Sequence, residues 1–414
     1  MSFSYHEGQM LDLKSSWFLF FAFVLAAQHF SIATQATPAV DLSYALPAGE
    51  HSHLPRLTRG NDGRLYLSWV EKRGNGSVLQ FSKLEDGRWN APRKIAQGDN
   101  WFVNWADFPS LEVDGEFMSA HWLQKSGLGK FDYDVRISLS DDGGENWAPS
   151  FVPHKDNTSA EYGFVSLVSL DQNRLFATWL DGRNTKGHGI GHIHGGMVTL
   201  RAGIFSRKGE ELVSWELDDS VCDCCQTAAI KTNGGVLVAY RDRSHSEIRD
   251  TYTTRWDGGV WSDPKAVSKE NWKINGCPVN GPVLSTQGGA TAIAWFTMSE
   301  NRPQVKLALS TDMGKTFGNP IIVSDNHNLG RLGLSVIEDG TTAVSWVEHT
   351  NKAAHIKLAH YSKKGELLAK QLVTSIDPSR SSGIPVMASE GRRVYLAWTR
   401  VEESSQVEMA SFDL

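Results

Sequence analysis

Arginines and carboxylates gather in short segments of the chain, and all four cysteines fall in two of them. Arg56 stands in LPRL, Asp107 in ADFPS, Glu161 in AEYG, Asp181 and Arg183 in LDGR, and Arg241, Asp242 and Arg243 in YRDR, with Arg249 and Asp250 just beyond. Asn280, Arg331 and Glu348 follow in later segments. A guanidinium pairs bidentately with a carboxylate or similar anion and keeps its charge at any working pH. A carboxyl held beside such an anion can move a proton at a reacting bond. The competing reading of Asp181, Arg183, Arg241 and Asp242 is a set of structural ion pairs. For Cys222, Cys224, Cys225 and Cys277, an oxidising compartment makes disulfides the first expectation, with Cys277 paired to one of the other three. A bond between Cys224 and Cys225 would be strained. The alternative is a copper or zinc site, in which the thiols combine with His188, His192 and His194 of GHGIGHIHGG.

These groups act together only if the fold brings distant segments to one place. After residue 50 a turn with Gly, Asp or Asn, followed by a β-rich segment ending in Trp or Tyr, returns seven times: at Trp69, Trp122, Trp179, Tyr240, Trp295, Trp346 and Trp398. The spacings are 53, 57, 61, 55, 51 and 52 residues. A period near fifty built from alternating strand segments signals small sheets arranged radially, whereas helical repeats would show apolar residues at i, i+3 and i+4. FPSLEV, FMSAHWL, YDVRISLS and the turn SDDGGENW give the order inside one unit, four strands per sheet. The expected fold is therefore an all-β β-propeller of four-stranded blades, seven by repeat count. The recurring Trp is read as packing between blades. The last unit stops at Leu414 without an outer strand, and Val40, Leu42, Tyr44 and Leu46 alternate with polar or small neighbours. An N-terminal strand is thus expected to complete the last blade and close the ring. Segments leading into the innermost strands and segments following the Trp strands then emerge at one mouth of the channel.

Hydrophobic residues at 40% and charged residues at 21% describe a globular chain able to bury a large core. A net charge of -6 gives no electrostatic footprint for nucleic acid. Residues Trp17 to Ala27 form an apolar run preceded by Lys14 and followed by Ala33 and Ala36. That pattern predicts a secretory signal over residues 1–36, a propeller over 37–414, a periplasmic or secreted location, and no stable membrane span after signal removal.

Two turns carry a sharper motif. Ser140, Asp142, Gly144 and Trp147 fit S-x-D-x-G-x-x-W, and Ser310, Asp312, Gly314 and Phe317 fit it with the aromatic changed. The motif resembles the Asp box of the sialidase (neuraminidase) superfamily of propellers with BNR repeats, and the repeat pattern resembles theirs over nearly all of residues 40–414. Sialidases typically have six blades, which leaves six open beside seven. What the resemblance implies is an exo-glycosidase, or a binder, acting on an acidic glycan or other small acidic ligand at the channel mouth. By that resemblance Arg56, Arg241 or Arg243, and Arg331 would hold the substrate carboxylate. Arg183, Asp242 and Asn280 would line the site beside them, Asp107 or Asp250 would serve as acid/base, and Glu161 would be its partner. The chain departs from the sialidase pattern where Asp107 stands in place of an inner-strand Arg, and it has no Tyr in a matching nucleophile context. Two other classes stay open: a metal-binding or redox protein built on the cysteines, and a non-catalytic interaction scaffold.

Overall fold

Turn residues at short intervals cut the chain into strands, and alternation of apolar and polar positions gives each strand a face to bury. The computed structural model describes residues 40–41, 44–185, 196–325, 327–350 and 353–414. The leader expected over 1–36 lies outside these residues, as do His188, His192 and His194. Among the described residues only three short 3-10 turns interrupt an otherwise all-β structure, and no helix is long and apolar enough to cross a membrane.

The strands form seven antiparallel sheets in chain order. Their inner strands are Ser52–Arg59, Ser110–Asp114, Tyr162–Asp171, Ala228–Thr232, Val283–Gln287, Asn328–Val336 and Val386–Glu390. Each pairs with a second strand carrying the recurrent Trp or Tyr, a third strand follows, and in five of the seven an outer strand completes the sheet. Each inner strand touches those of the blades on either side, and the seventh touches the first. The sheets thereby close into a seven-bladed propeller, and the count of seven replaces the six that the sialidase resemblance left open.

Neighbouring inner strands diverge too far for a backbone ladder, so side chains bridge them. Thr58 Oγ1 donates to the Leu111 carbonyl at 2.6 Å. Further round the ring, the Gly281 amide donates to Gln226 Oε1 at 2.9 Å, and Ser335 Oγ to Ser389 Oγ at 2.9 Å.

The core is correspondingly divided, with an apolar wedge in each gap between blades. One wedge joins Val70 and Phe81 of blade one to Met118 and Trp122 of blade two, and another joins Tyr395 and Met409 of blade seven to Leu67 and Trp69 of blade one. The recurrent aromatics are buried, as expected for packing residues. Several indoles also need an acceptor once buried. Trp179 Nε1 donates to Asp181 Oδ2 at 2.9 Å, and Trp346 Nε1 to Glu348 Oε1 at 2.8 Å.

Two blades lack a full outer strand. In blade two the outer position is held by a bridge between Phe151 and Ile137. In blade seven it is held from the other end of the chain: Asp41 bridges Ser411, with the Asp41 amide donating at 3.1 Å and its carbonyl accepting at 3.0 Å. Tyr44 OH adds a 2.8 Å bond to Ser411 Oγ. The expected closure is present, but among the described residues its pairing is one bridge rather than a strand over 40–46.

Candidate active site at the channel mouth

Antiparallel order places the loops before the inner strands and after the second strands at one end of each blade. The inner strands surround a cavity of about 600 Å³ that runs from Arg56, Asp107, Asn280 and Arg331 at that end to Asn61, Asp114 and Gln287 at the other. Near the starts of inner strands Leu54, Phe164 and Arg331 have φ in the left-handed region, each at 53°, as does Val279 at 50° in the loop before the fifth. Such backbone costs about 1 kcal/mol or more per residue and gathers where side chains or amides must be aimed. The register breaks between His53 and Arg56 and between Gly330 and Gly333 are bulges of the same kind.

The aiming is visible at Asp107. The Phe164 amide donates to Asp107 Oδ1 at 2.7 Å. Tyr133 OH lies 2.9 Å from Glu161 Oε1 and 3.4 Å from Asp107 Oδ2. Phe102 stacks flat on the Tyr133 ring, centroids 4.1 Å apart. Gly163 leaves the space this needs, since a Cβ there would stand 1.9 Å from Asp107 Oδ2. Burial pushes the Asp107 carboxyl up to about 8, with repulsion from Glu161 adding to it, and burial pushes Glu161 up to about 7. Tyr133 is held well above the ordinary phenol range, by burial first and then by the two carboxyls. The result is a carboxyl, a phenol and a carboxyl in hydrogen-bonded sequence, in which the two carboxyls gain and lose protons near neutrality and the phenol stays protonated between them.

Asp107 and Glu161 were legible in sequence, whereas Tyr133 was not. It opens the third strand of blade two and meets Glu161 through a parallel bridge to blade three. Asp250 does different work: its carboxylate accepts the Asn271 and Trp272 amides at 2.9 and 3.0 Å and holds a turn.

The arginines divide in two. Arg241 is buried and donates to the carbonyls of Asn280, Arg249 and Phe296, over the Trp272 ring at 4.9 Å. Every arm of that guanidinium has a backbone acceptor, so it braces blades four and five and is not available to a substrate. Arg243 and Arg249 both pair with Glu247, at 2.6 and 2.7 Å. Arg183 pairs with Asp181 at 2.7 Å and Asp156 at 3.2 Å. Asp242 lies beside Asp218, and burial pushes it up to about 7. Asn280 accepts the Arg331 amide and donates to the Pro278 and Leu329 carbonyls, stapling blade five to blade six. Of the structural ion pairs expected for Asp181, Arg183, Arg241 and Asp242, the Asp181–Arg183 pair is present. Arg241 instead braces the ring through backbone carbonyls and, among the described residues, neither it nor Asp242 forms an ion pair.

Arg56 and Arg331 are different. Arg56 lies over the Phe108 ring at 4.5 Å, and burial lowers its pKa to about 10 with no carboxylate to offset it. Arg331 lies 5.2 Å and Arg380 5.8 Å from the Trp105 ring. Arg331 donates to the Ser379 carbonyl and Ser382 Oγ, and burial and the Arg380 charge lower its pKa. Among the described residues no ion pair is formed by any of these three. Arg380 was missed in sequence because its segment, DPSRSSG, carries no repeat signature.

The cysteines are all free, so the expected disulfide to Cys277 is absent. Cys222 Sγ lies 3.7 Å from Cys224 Sγ and 3.5 Å from Cys225 Sγ, while Cys277 Sγ faces Asp223 Oδ1 at 3.6 Å. His192 and His194, the other proposed ligands, lie outside the described residues.

No family model matches the sequence, and no curated protein matches it. Solved structures resemble it in fold. A polysaccharide lyase, an ulvan lyase with -[GlcA(1-4)Rha3S]- bound, is 11% identical with a TM-score of 0.52, over 90% of this chain and 94% of that one. A protein of unknown function from Dyadobacter fermentans DSM 18053 is 14% identical with a TM-score of 0.48, over 92% and 99%. The NanB sialidase of Streptococcus pneumoniae is 9% identical with a TM-score of 0.45, over 85% and 83%. What the chain shares with the ulvan lyase at this identity is the architecture, a β-propeller.

Proposed function

We propose that the protein is an exported glycosidase that takes an acidic glycan at the channel mouth. The observation that carries this reading is a set of arginines without ion pairs, Arg56 over Phe108 and Arg331 and Arg380 against Trp105, on the segment that also carries Asp107 of the Asp107–Tyr133–Glu161 sequence. A buried or half-buried guanidinium without an ion pair, as at Arg331 and Arg56, is costly until an anion arrives, the exposed Arg380 adds positive charge beside Arg331, and an indole face suits a sugar ring. The ulvan lyase of the same architecture was solved with an acidic glycan bound, which agrees with this ligand class.

Hydrolysis follows from the protonation states. At neutral pH Asp107 mostly keeps its proton and Glu161 is about half ionised. Asp107 gives its proton to the leaving glycosidic oxygen, and once that group has left a water adds to the anomeric carbon and gives its proton to Glu161. Both carboxyls meet the single Tyr133 hydroxyl, at 3.4 and 2.9 Å, so both act from one side of the sugar. Tyr133, bonded to both, lets the proton return to Asp107 for the next turnover.

The test is cleavage of an aryl sialoside and of uronate-containing oligosaccharides, followed by new reducing ends. Arg331→Ala should weaken substrate binding by about tenfold or more, and Glu161→Gln should abolish turnover while binding persists. Binding without cleavage in the wild type would leave a lectin, and neither binding nor cleavage of any acidic glycan would end the reading.

A further inference from the structure

Three of the four thiols are gathered by one turn. Val221 to Gln226 leads into the inner strand of blade four and is pinned along its length. Val221 bridges Asp242, the Cys222 amide donates to the Arg241 carbonyl at 2.9 Å, and Gln226 Nε2 donates to the Ala106 carbonyl at 2.7 Å. The turn folds the side chains of Cys222, Cys224 and Cys225 inward, so that their sulfurs all lie within 4.8 Å of one another. Cys222 and Cys225 are buried and Cys224 is half-buried.

The spacing has a chemical meaning. Sulfurs held about 2.3 Å from a tetrahedral zinc ion stand about 3.8 Å apart, close to the observed 3.7 and 3.5 Å. A disulfide needs about 2 Å. The Arg249 guanidinium sits 3.3 Å from Cys222 Sγ, a positive charge placed to offset the net negative charge of a metal with three thiolates. On the solvent side Cys277, from the loop leading into blade five, shares a 4.8 Å neighbourhood with Cys224 and Asp223. It adjoins the group as a fourth donor and a path for the ion to arrive.

We propose that Cys222, Cys224 and Cys225 form a three-thiolate site for a thiophilic d10 ion, zinc(II) or copper(I), with Cys277 beside it. Soft thiolates select these ions over the hard cations that carboxylates hold. The ion would clasp the loop before blade four to that before blade five. Cys277 shares a small pocket with Trp105, Arg331 and Arg380, but ion binding is read without glycan cleavage.

The experiment uses the full chain, purified and then dialysed against zinc(II) or, anaerobically, copper(I), with elemental analysis beside a thiol count in denaturant. About one ion per chain is expected, retained through dialysis, and the arm that retains it identifies the metal. Cys222→Ser and Cys225→Ser should each lower retention at least tenfold with the far-ultraviolet circular dichroism unchanged, and Cys277→Ser should lower it less. Should a serine variant fail to fold, cobalt(II) added to the wild type decides, since three thiolates give intense sulfur-to-cobalt charge transfer. Lack of that absorption overturns the site. So does a chain that retains neither ion, whether it titrates four thiols or carries a Cys222–Cys225 disulfide by mass spectrometry.

Discussion

Asp107 and Asp142 flank the same blade and do opposite things. Asp142 sits in the turn after the third strand, at the end of the ring away from the mouth. Its Oδ1 accepts the Asn146 amide at 2.9 Å and the Ser140 hydroxyl at 2.8 Å, and those bonds, led by the Asn146 amide, hold its pKa down to about 2. Asp312 repeats the arrangement in blade five, accepting the Thr316 amide at 2.9 Å and the Ser310 hydroxyl at 2.7 Å. Asp107 accepts one amide and one long phenol bond in a buried place, and its pKa rises to about 8. A carboxylate whose lone pairs are filled by fixed amides braces a turn, whereas one left short of donors in a dry site remains able to exchange a proton. The conspicuous motif therefore marks architecture, and the carboxyls proposed for proton transfer lie in loops without one.

The largest test of that contrast exchanges each aspartate for its neutral isostere. Asp107→Asn should lower turnover about 100-fold or more, while Asp142→Asn leaves turnover unchanged; equal losses would erase the distinction. Stability should move the other way. Asp107 titrates near 8 in the folded chain against about 4 unfolded, so its contribution is full below about pH 4 and is lost as pH rises through about 8. Asp107→Asn should therefore raise the melting temperature at alkaline pH.

A second test uses glycines at the two ends. Gly163→Ala drives a methyl into Asp107 Oδ2, and turnover should fall about tenfold or more through the misplaced carboxyl. Gly144 has φ +83°, and a Cβ there would meet Phe81 Cζ of blade one at 2.5 Å. Gly144→Ala should lower the melting temperature by about 2 °C or more with the Michaelis constant unchanged. Activity loss in Gly144→Ala matching that in Gly163→Ala would mean the ends are coupled.

The pH profile is a gentler probe. With Glu161 ionised above about 7 and Asp107 protonated below about 8, turnover should trace a narrow bell centred between these values. In Glu161→Gln the acid limb should be missing from any residual rate.

Smallest of all is the effect of Asp142→Asn on stability. Its folded pKa lies below the unfolded one, so its contribution is present above about pH 4 and lost as pH falls toward about 2. Melting curves of wild type and variant should differ slightly at neutral pH and converge in acid. A gap that widens in acid would contradict the turn's role.

Periodicity alone determined the architecture. The aromatic at each of seven second strands, the turn motifs at Asp142 and Asp312, and the pairing of the chain's start with its last blade were all readable. Burial of one strand face is a local demand, and local demands repeat in the residues themselves. Asp107 and Glu161 were readable as candidates because blade order brings their loops to one mouth. Their connection through Tyr133 was not, since it depends on how the 126–132 loop sets a third strand against the next blade. Nor could residue type separate Arg241, with a backbone acceptor at every guanidinium nitrogen, from Arg331, whose Nε has none, or from Arg56 and Arg380 on their aromatic rings. A guanidinium is the same group in every loop. Whether it braces the ring or waits for an anion depends on which carbonyls and carboxylates surround it, and only the closed ring decided that.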